Sequence, residues 1–540
     1  MLLLALFVAA APAHGQSQDD GFFAALGALR EASFLDKERI VERLGQSGHA
    51  SARPVLAAWL DDRLYVRQRD QKIFIVKSTE DSLTSFDLVD PASLTDAGSA
   101  PREDLTKIGT NNHLRRQLKI AVARFDLSSA DATVRLAAVQ QMLRALDEPS
   151  IALLRKRAGL ETDAAVRAEI ETGLTLVALD DRDPQARLHA IAALRHRLRS
   201  DVRNRLASLL EQSADGSFTE PNADVRNAAA AAVRTIDRRR VLYASVETLF
   251  FGLSLGSVLV LIAIGLAITF GVMGVINMAH GELMMLGAYT TYVVQLAMPN
   301  HIGASVLVAI PTAFLVAGVA GVVLERTIIR FLYGRPLETL LATFGVSLVL
   351  QQLVRSIFSA NNRAVETPAW MSGTLQLNEA LAITFNRLYI VIFTMIVFAT
   401  VLIVLKHTRL GLDIRAVSQN RAMARAMGVR SEWVDAMTFG LGSGIAGIAG
   451  VALSQLTNVG PNLGQSYIID SFMVVVFGGV GNLWGTLIGG MSMGIVNKLL
   501  EPYAGAVLGK IFVLVALILF IQRRPRGLFP QVGRAAEALE

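Results

Sequence analysis

The sequence predicts an α-helical polytopic membrane protein of about nine spans, preceded by a mainly α-helical soluble domain. Three observations predict it. The chain of 540 residues is 52% hydrophobic and only 18% charged, with mean hydropathy +0.43, which is too apolar for an ordinary soluble protein. The composition is split: up to Arg240 it is rich in Arg, Asp and Glu, and beyond Thr248 it is dominated by Leu, Val, Ile, Ala and Gly. The polar half also repeats a short helix-starting pattern. The net charge of +6 comes from arginines scattered through the first half or placed in short loops of the second, without the basic clusters interleaved with aromatics that a nucleic-acid binder needs. Nucleic acid is therefore not an expected partner. The absence of cysteine removes disulfides, thiolate metal sites and cysteine nucleophiles.

The N-terminus, "MLLLALFVAAAPAHGQSQDD", places a short apolar run before small residues and then polar sequence. It reads as a signal peptide over 1–15, too short to span as a mature helix. Residues 16–245 then form an extracytoplasmic, mainly helical domain. Its repeated segments are "DATVR" ending at Arg135, "DAAVR" at Arg167, "DPQAR" at Arg187 and "NADVR" at Arg226. Each opens on Asp or Asn, whose side chain accepts from the free N–H groups of a helix start, and each is followed by an Ala/Leu-rich amphipathic run. The irregular spacing resembles that of degenerate HEAT-like repeats, whose surfaces bind partners. Upstream, "LYVRQRDQKIFIV" from Leu64 reads as a small hairpin.

Residues 246–530 form the membrane domain. Apolar runs near 249–270, 279–297, 303–324, 337–357, 386–405, 434–455, 468–480, 485–500 and 507–522 are read as spans, the seventh short enough to be re-entrant. Arg326, Arg330 and Arg335 follow the third run, Lys406 to Arg430 the fifth, and Arg523, Arg524 and Arg526 the last. Basic loops stay on the cytoplasmic side, which puts the polar half outside. Arg238, Arg239 and Arg240 oppose that orientation, although a long translocated domain overrides such charges.

Two motif matches are decoys. "GSGIAG" at Gly442 fits a dinucleotide fingerprint but follows no strand; with Gly440, Gly444, Gly447 and Gly450 it fits a small-residue packing face between membrane helices. "GAVLGKI" at Gly505 is one residue short of a phosphate-binding loop and lacks its Ser/Thr. His280 and Glu282 are two apart with no third ligand nearby, so no metal site is expected.

The polar residues Asn277, His280 and Glu282 stand within six positions inside "GVMGVINMAHGELMML", where ionisable groups are costly unless they face a cavity or a partner. The bland reading is a polar turn at the membrane interface. Asp470, at the start of the seventh run, is a further candidate. The spans otherwise contain almost no Lys or Arg, Arg355 and Lys498 lying towards their ends, which suits a small neutral solute better than a zwitterion.

Three long segments carry a specific resemblance. "GLSLGSVLVLIAIGLAITFGVMGVINMAHGELMMLGAYTTYVVQ", "DIRAVSQNRAMARAMGVR" and "VVVFGGVGNLWGTLIGG" resemble the permeases of branched-chain amino-acid and urea ABC importers, over about 248–530. The large N-terminal domain is similar to that of the urea permeases in this family. The resemblance implies a pore-forming, non-enzymatic subunit without a cofactor of its own, in a bacterial inner membrane with the N-terminal domain periplasmic. It implies a second permease subunit, two ATP-binding subunits and a periplasmic substrate-binding protein. It also implies that the loop 409–432, with Ala416, Asn420, Ala424 and Gly428, couples ATP hydrolysis to the pore. Urea is the solute it favours; a branched-chain amino acid is the alternative. An intramembrane enzyme lacks a nucleophile partnered with His280 or Glu282, and a membrane-anchored binding protein would not need so many spans.

Overall fold

The computed structural model describes residues 15–79, 84–144, 146–212 and 217–529. The expected signal peptide lies outside them except for Gly15. The chain divides into two compact units, Met1–Asp237 and Arg238–Glu540.

The first unit opens with α1 (Gly15–Ala28), α2 (Phe34–Gln46) and α3 (Ala52–Leu60). An antiparallel sheet follows, built from β1 (Leu64–Arg67), β2 (Lys72–Val76), β3 (Ser85–Val89), β4 (Asp96–Pro101) and β5 (Leu105–Lys107) in the order β4-β3-β2-β1-β5. The hairpin expected at Leu64 is thus the centre of a five-stranded sheet. Period-2 alternation buries Phe86 and Leu88 of β3 on one face, while Leu64, Ile73 and Ile75 join Trp59, Leu114 and Leu118 in a helical core on the other.

Helices α4 (Asn112–Asp126), α5 (Ala132–Met142), α6 (Glu148–Ala158), α7 (Ala164–Val177), α8 (Pro184–Leu194) and α9 (Ser200–Ser208) complete the unit with the first turns of α10 (Ala223–Met273). The repeated motif has one structural meaning. Asp131, Asp163, Asp183 and Asn222 accept from backbone N–H groups two or three residues on, capping α5, α7, α8 and α10. The arginine four positions after each cap reaches back to the loop before it: Arg135 to the carbonyls of Ser129 and Ala130, Arg167 to Glu161, Arg187 to Asp181 and Arg182, Arg226 to Glu220 and Pro221. Arg135 also pairs with the buried Glu161, and Arg187 with the buried Glu220, so one loop is tied to the next.

The second unit contains the rest of α10, then α11 (His280–Ala297), α12 (Ile302–Thr327), α13 (Pro336–Phe358), α14 (Phe385–His407), α15 (Arg409–Gln419), α16 (Arg421–Ala426), α17 (Ser431–Ser454), α18 (Leu463–Gly478) and α19 (Leu483–Arg523). A two-stranded hairpin, β6 (Thr374–Asn378) and β7 (Leu381–Thr384), stands between α13 and α14. Among the described residues six helices, α10, α12, α13, α14, α17 and α19, are long and apolar enough to cross a membrane, and α18 is a shorter apolar helix. Pro502 and a left-handed Gly505 (φ 76°) break α19 between its two apolar arms. "GSGIAG" lies inside α17, and the segment beginning at Gly505 lies inside α19.

Candidate functional site

Helix α10 ends at Met273 because Gly274 adopts φ +65° and its N–H closes on the Phe270 carbonyl at 2.9 Å. The six residues that follow run without helix until α11 starts at His280. Asn277, His280 and Glu282 are all buried here, and each engages a different neighbour. Asn277 Oδ1 accepts from the Ala279 N–H at 3.0 Å, bracing its own turn. His280 Nε2 meets the Ile262 carbonyl of α10 at 3.0 Å. Glu282, 1% exposed, turns to α13: its Oε1 accepts from Ser347 Oγ at 3.0 Å and from Gln351 Nε2 at 2.7 Å. Among the described residues Asn277 Nδ2, His280 Nδ1 and Glu282 Oε2 have no hydrogen-bond partner.

The α13 partners belong to a stripe that sequence reasoning passed over. Thr339, Thr343, Ser347 and Gln351 recur every fourth position, so they share one helix face, and all four are buried. Thr343 Oγ1 accepts from the Met278 N–H at 3.1 Å, pinning the α10–α11 break to α13. Apolar residues such as Leu341, Leu348, Val349 and Ile357 occupy the exposed faces. A polar residue every four positions in an apolar run was the available signal. One turn beyond Gln351, Arg355 donates to Asn462 Oδ1 at 2.7 Å.

Asp470 does not hydrogen-bond with this seam. Its Oδ2 lies 2.8 Å from Lys510 Nζ, across α18 and α19. The sequence inventory of charges omitted Lys510, which follows closely on the Gly505 break and is half exposed.

The 409–432 loop forms two short helices. Asn420 separates them, its Oδ1 accepting from the Met423 N–H at 2.9 Å to cap α16. Ala424 packs with Ile414, Val417 and Val434, and the Ala416 carbonyl accepts from the Asn420 N–H at 3.1 Å. Gly428 adopts φ +89° with open space where a Cβ would stand, so its glycine is required by the backbone conformation. Leu412, Met423 and Met427 leave the loop with exposed apolar side chains. Arg421 pairs with the buried Asp435 on α17 and stands 4.6 Å over the Tyr333 ring.

The four α17 glycines of the expected packing face, Gly440, Gly444, Gly447 and Gly450, each meet a neighbour at close quarters. A Cβ would lie 2.7 Å from Val322 Cγ2 at Gly440, 2.6 Å from the Phe314 ring at Gly444 and 2.5 Å from the Ala313 carbonyl oxygen at Gly447. At Gly450 it would collide with the Met284 carbonyl of α11. Only glycine admits such approaches between membrane helices.

The second unit is thus a glycine-packed helical bundle with a broken polar helix junction and a basic two-helix loop. A family profile described as the branched-chain amino acid transport system / permease component matches residues 248–521. The chain belongs to this permease family. The high-affinity branched-chain amino acid transport system permease protein LivH of Salmonella typhimurium is 30% identical over 310 residues, which are 53% of this chain and 97% of that protein. The corresponding protein BraD of Pseudomonas aeruginosa is 29% identical over 305 residues, 54% of this chain and 99% of its own length. More distant is the ribose import permease protein RbsC of Escherichia coli, 26% identical over 264 residues, 47% of this chain and 78% of its own. No solved structure matches the chain. The chain is thus a multi-pass membrane protein of the ABC permease class, and its relatives are permease subunits rather than enzymes.

Proposed function

We propose that this chain is the pore-forming permease subunit of an ATP-driven importer of a small polar solute, and that the solute is urea. The observation that carries the solute is the seam between α11 and α13. Its groups are hydroxyls, amides and one carboxylate, and that carboxylate is held by a hydroxyl and an amide rather than by a cation. Urea offers N–H donors to Glu282 Oε2 and a carbonyl to donors such as Asn277 Nδ2, the two kinds of atom left without partners at the break. A second reading, a branched-chain amino acid, is favoured by the Asp470–Lys510 pair, which supplies both signs of charge, and by the printed names of the LivH and BraD relatives. Uptake of labelled urea by membranes holding the whole importer decides between them. Excess unlabelled urea should block it and leucine should not; the reverse pattern installs the second reading.

In this reading the chain crosses the bacterial inner membrane about nine times, with α11, α18 and both arms of α19 serving as crossings alongside the longer helices. The first unit, with its HEAT-like repeats, is periplasmic, and the Arg409–Glu432 loop is cytoplasmic. A reporter fused at Ser217 should be active only in the periplasm and one at Arg421 only in the cytoplasm; a cytoplasmic Ser217 inverts the orientation. A second permease subunit, two ATP-binding subunits and a periplasmic binding protein complete the assembly. The exposed Leu412, Met423 and Met427 are the surface on which an ATP-binding subunit docks, Met427 being 80% exposed in this chain alone. Replacing Met427 by Asp should release the ATP-binding subunit on purification, and undiminished association removes the loop from the interface.

A further inference from the structure

The loop must hand its movement to the membrane helices at a definite place. We propose that Arg421 is that place: a positioning residue whose guanidinium has two alternative buried seats, Asp435 on α17 and Glu325 on α12, and whose exchange between them shifts α17 and, with it, the helix that carries Glu282. The inference rests on the reading of Arg409–Glu432 as the coupling loop.

Asp435 is 1% exposed, yet it receives its counter-charge from Arg421, the first residue of a short helix outside the span. Separating a buried carboxylate from its cation is strongly unfavourable unless another cation or another seat is offered. Another seat is present. Gly321 and Val322 of α12 pack on Phe439, Gly440 and Ser443 of α17, so Glu325, one turn further along α12 and 2% exposed, stands on the turn that faces Asp435; its Oε2 has no hydrogen-bond partner among the described residues. Arg326 approaches that oxygen only to 3.7 Å. Asp435 thus holds the guanidinium, Glu325 offers an unpaired oxygen on the facing turn, and the Tyr333 ring provides a surface along which the guanidinium can slide. Arg425 Nε holds Ser431 Oγ at 2.6 Å, so α16 grips the first turn of α17 at a second point. An exchange of partners is a discrete two-state element, the form in which a loop movement can be passed on without being lost in gradual deformation.

The glycine faces explain why α17 transmits. It touches α10 at Gly442–Gly265, α11 at Gly447–Gly287 and Gly450–Met284, and α12 at Gly440–Val322 and Gly447–Ala313, largely backbone to backbone. Apart from the branched Val322 at Gly440, those approaches meet backbone atoms, which cannot swing aside to absorb a displacement. A shift of α17 therefore displaces α11, and with it the seam of Glu282, Ser347 and Gln351.

The test uses the complete importer in proteoliposomes and reads solute moved per ATP hydrolysed. Arg421→Gln and Glu325→Gln should each lower that ratio by about tenfold, within the usual range of coupling between sites. Glu325→Gln is the sharper variant, because it leaves the Arg421–Asp435 pair in place and is nearly isosteric; it decides the matter if Arg421→Gln fails to assemble. Arg421→Asp combined with Asp435→Arg should regain most of what Arg421→Asp alone loses. An unchanged ratio in assembled Glu325→Gln overturns the two-seat joint. Met427→Asp separates the two levels. If it abolishes coupling while Glu325→Gln does not, the loop reading stands and the joint falls; if Met427→Asp leaves association and coupling whole, the loop reading itself is wrong.

Discussion

Glu161 in the first unit and Glu282 in the second are the same residue type at nearly the same burial, 2% and 1% exposed, yet their surroundings differ sharply. Glu161 is saturated. Arg135 reaches both of its oxygens at 2.7 and 2.9 Å, Arg157 adds 2.9 Å, and the N–H groups of Thr162 and Asp163 close on it at 3.1 and 3.0 Å. Those donors, Arg135 first, hold its carboxyl down at about 2. Glu282 has two neutral donors on one oxygen and none on the other among the described residues. A carboxylate with every lone pair occupied fixes a fold. One left half-satisfied in an apolar helix bundle is, under the proposed reading, the group that meets the solute.

The largest effect is expected at Glu161. Glu161→Ala strands a nearly buried Arg135 without its counter-charge, and the first unit should lose about 3–5 kcal/mol. Hydrogen exchange of the α5 and α7 amides in the intact chain reads that loss; a change below ~1 kcal/mol would make Glu161 no more structural than a surface acid. Acid should mimic the mutation. Because folding depresses this carboxyl, its contribution is fully present above the ordinary value of 4.5 and fades as pH falls towards about 2.

Glu282→Gln should behave differently. The amide keeps an acceptor for Ser347 and Gln351, so thermal unfolding should move little, while uptake should fall by about tenfold, roughly 1.4 kcal/mol of lost recognition. Full uptake with an unchanged solute preference would return Glu282 to the company of Glu161 as scaffold.

The smallest effect sharpens what counts as structural in the first unit. Asp163→Ala removes the cap of α7 but no buried ion, and should cost about 1 kcal/mol by the same exchange measurement. A cost equal to that of Glu161→Ala would mean that the caps, rather than the arginine pairs, hold the repeats together.

Local chemistry made much of this molecule legible. The Asp–Arg motifs marked four helix starts, since a cap and its first turn are neighbours in sequence. Apolar runs located the long helices for the same reason. The sheet beyond its first hairpin was not read, because β3, β4 and β5 are three to six residues long and depend on distant partners for their burial. At the candidate site Asn277, His280 and Glu282 stood out as polar residues in oil. Their partners Thr343, Ser347 and Gln351 lie more than sixty residues away, and only folding brings them across from Met278 and Glu282. Lys510 was weighed only as part of the Gly505 motif, because its partner Asp470 lies forty residues away on α18.

The glycine faces of α17 also govern how this protein can change over generations. At Gly447 and Gly450 the obstacle is another helix's backbone, which no single substitution can shrink. Growth on α17 would need simultaneous retreat by α11 and α12, whose own positions are fixed against further neighbours. In a library of all single variants, α17 should stand out as the helix with the fewest survivors. The exposed sides of α13, crowded with Leu and Val, should accept almost any apolar exchange. A drifting sequence would then rewrite this transporter from its rim inwards, with α17 the last helix to move.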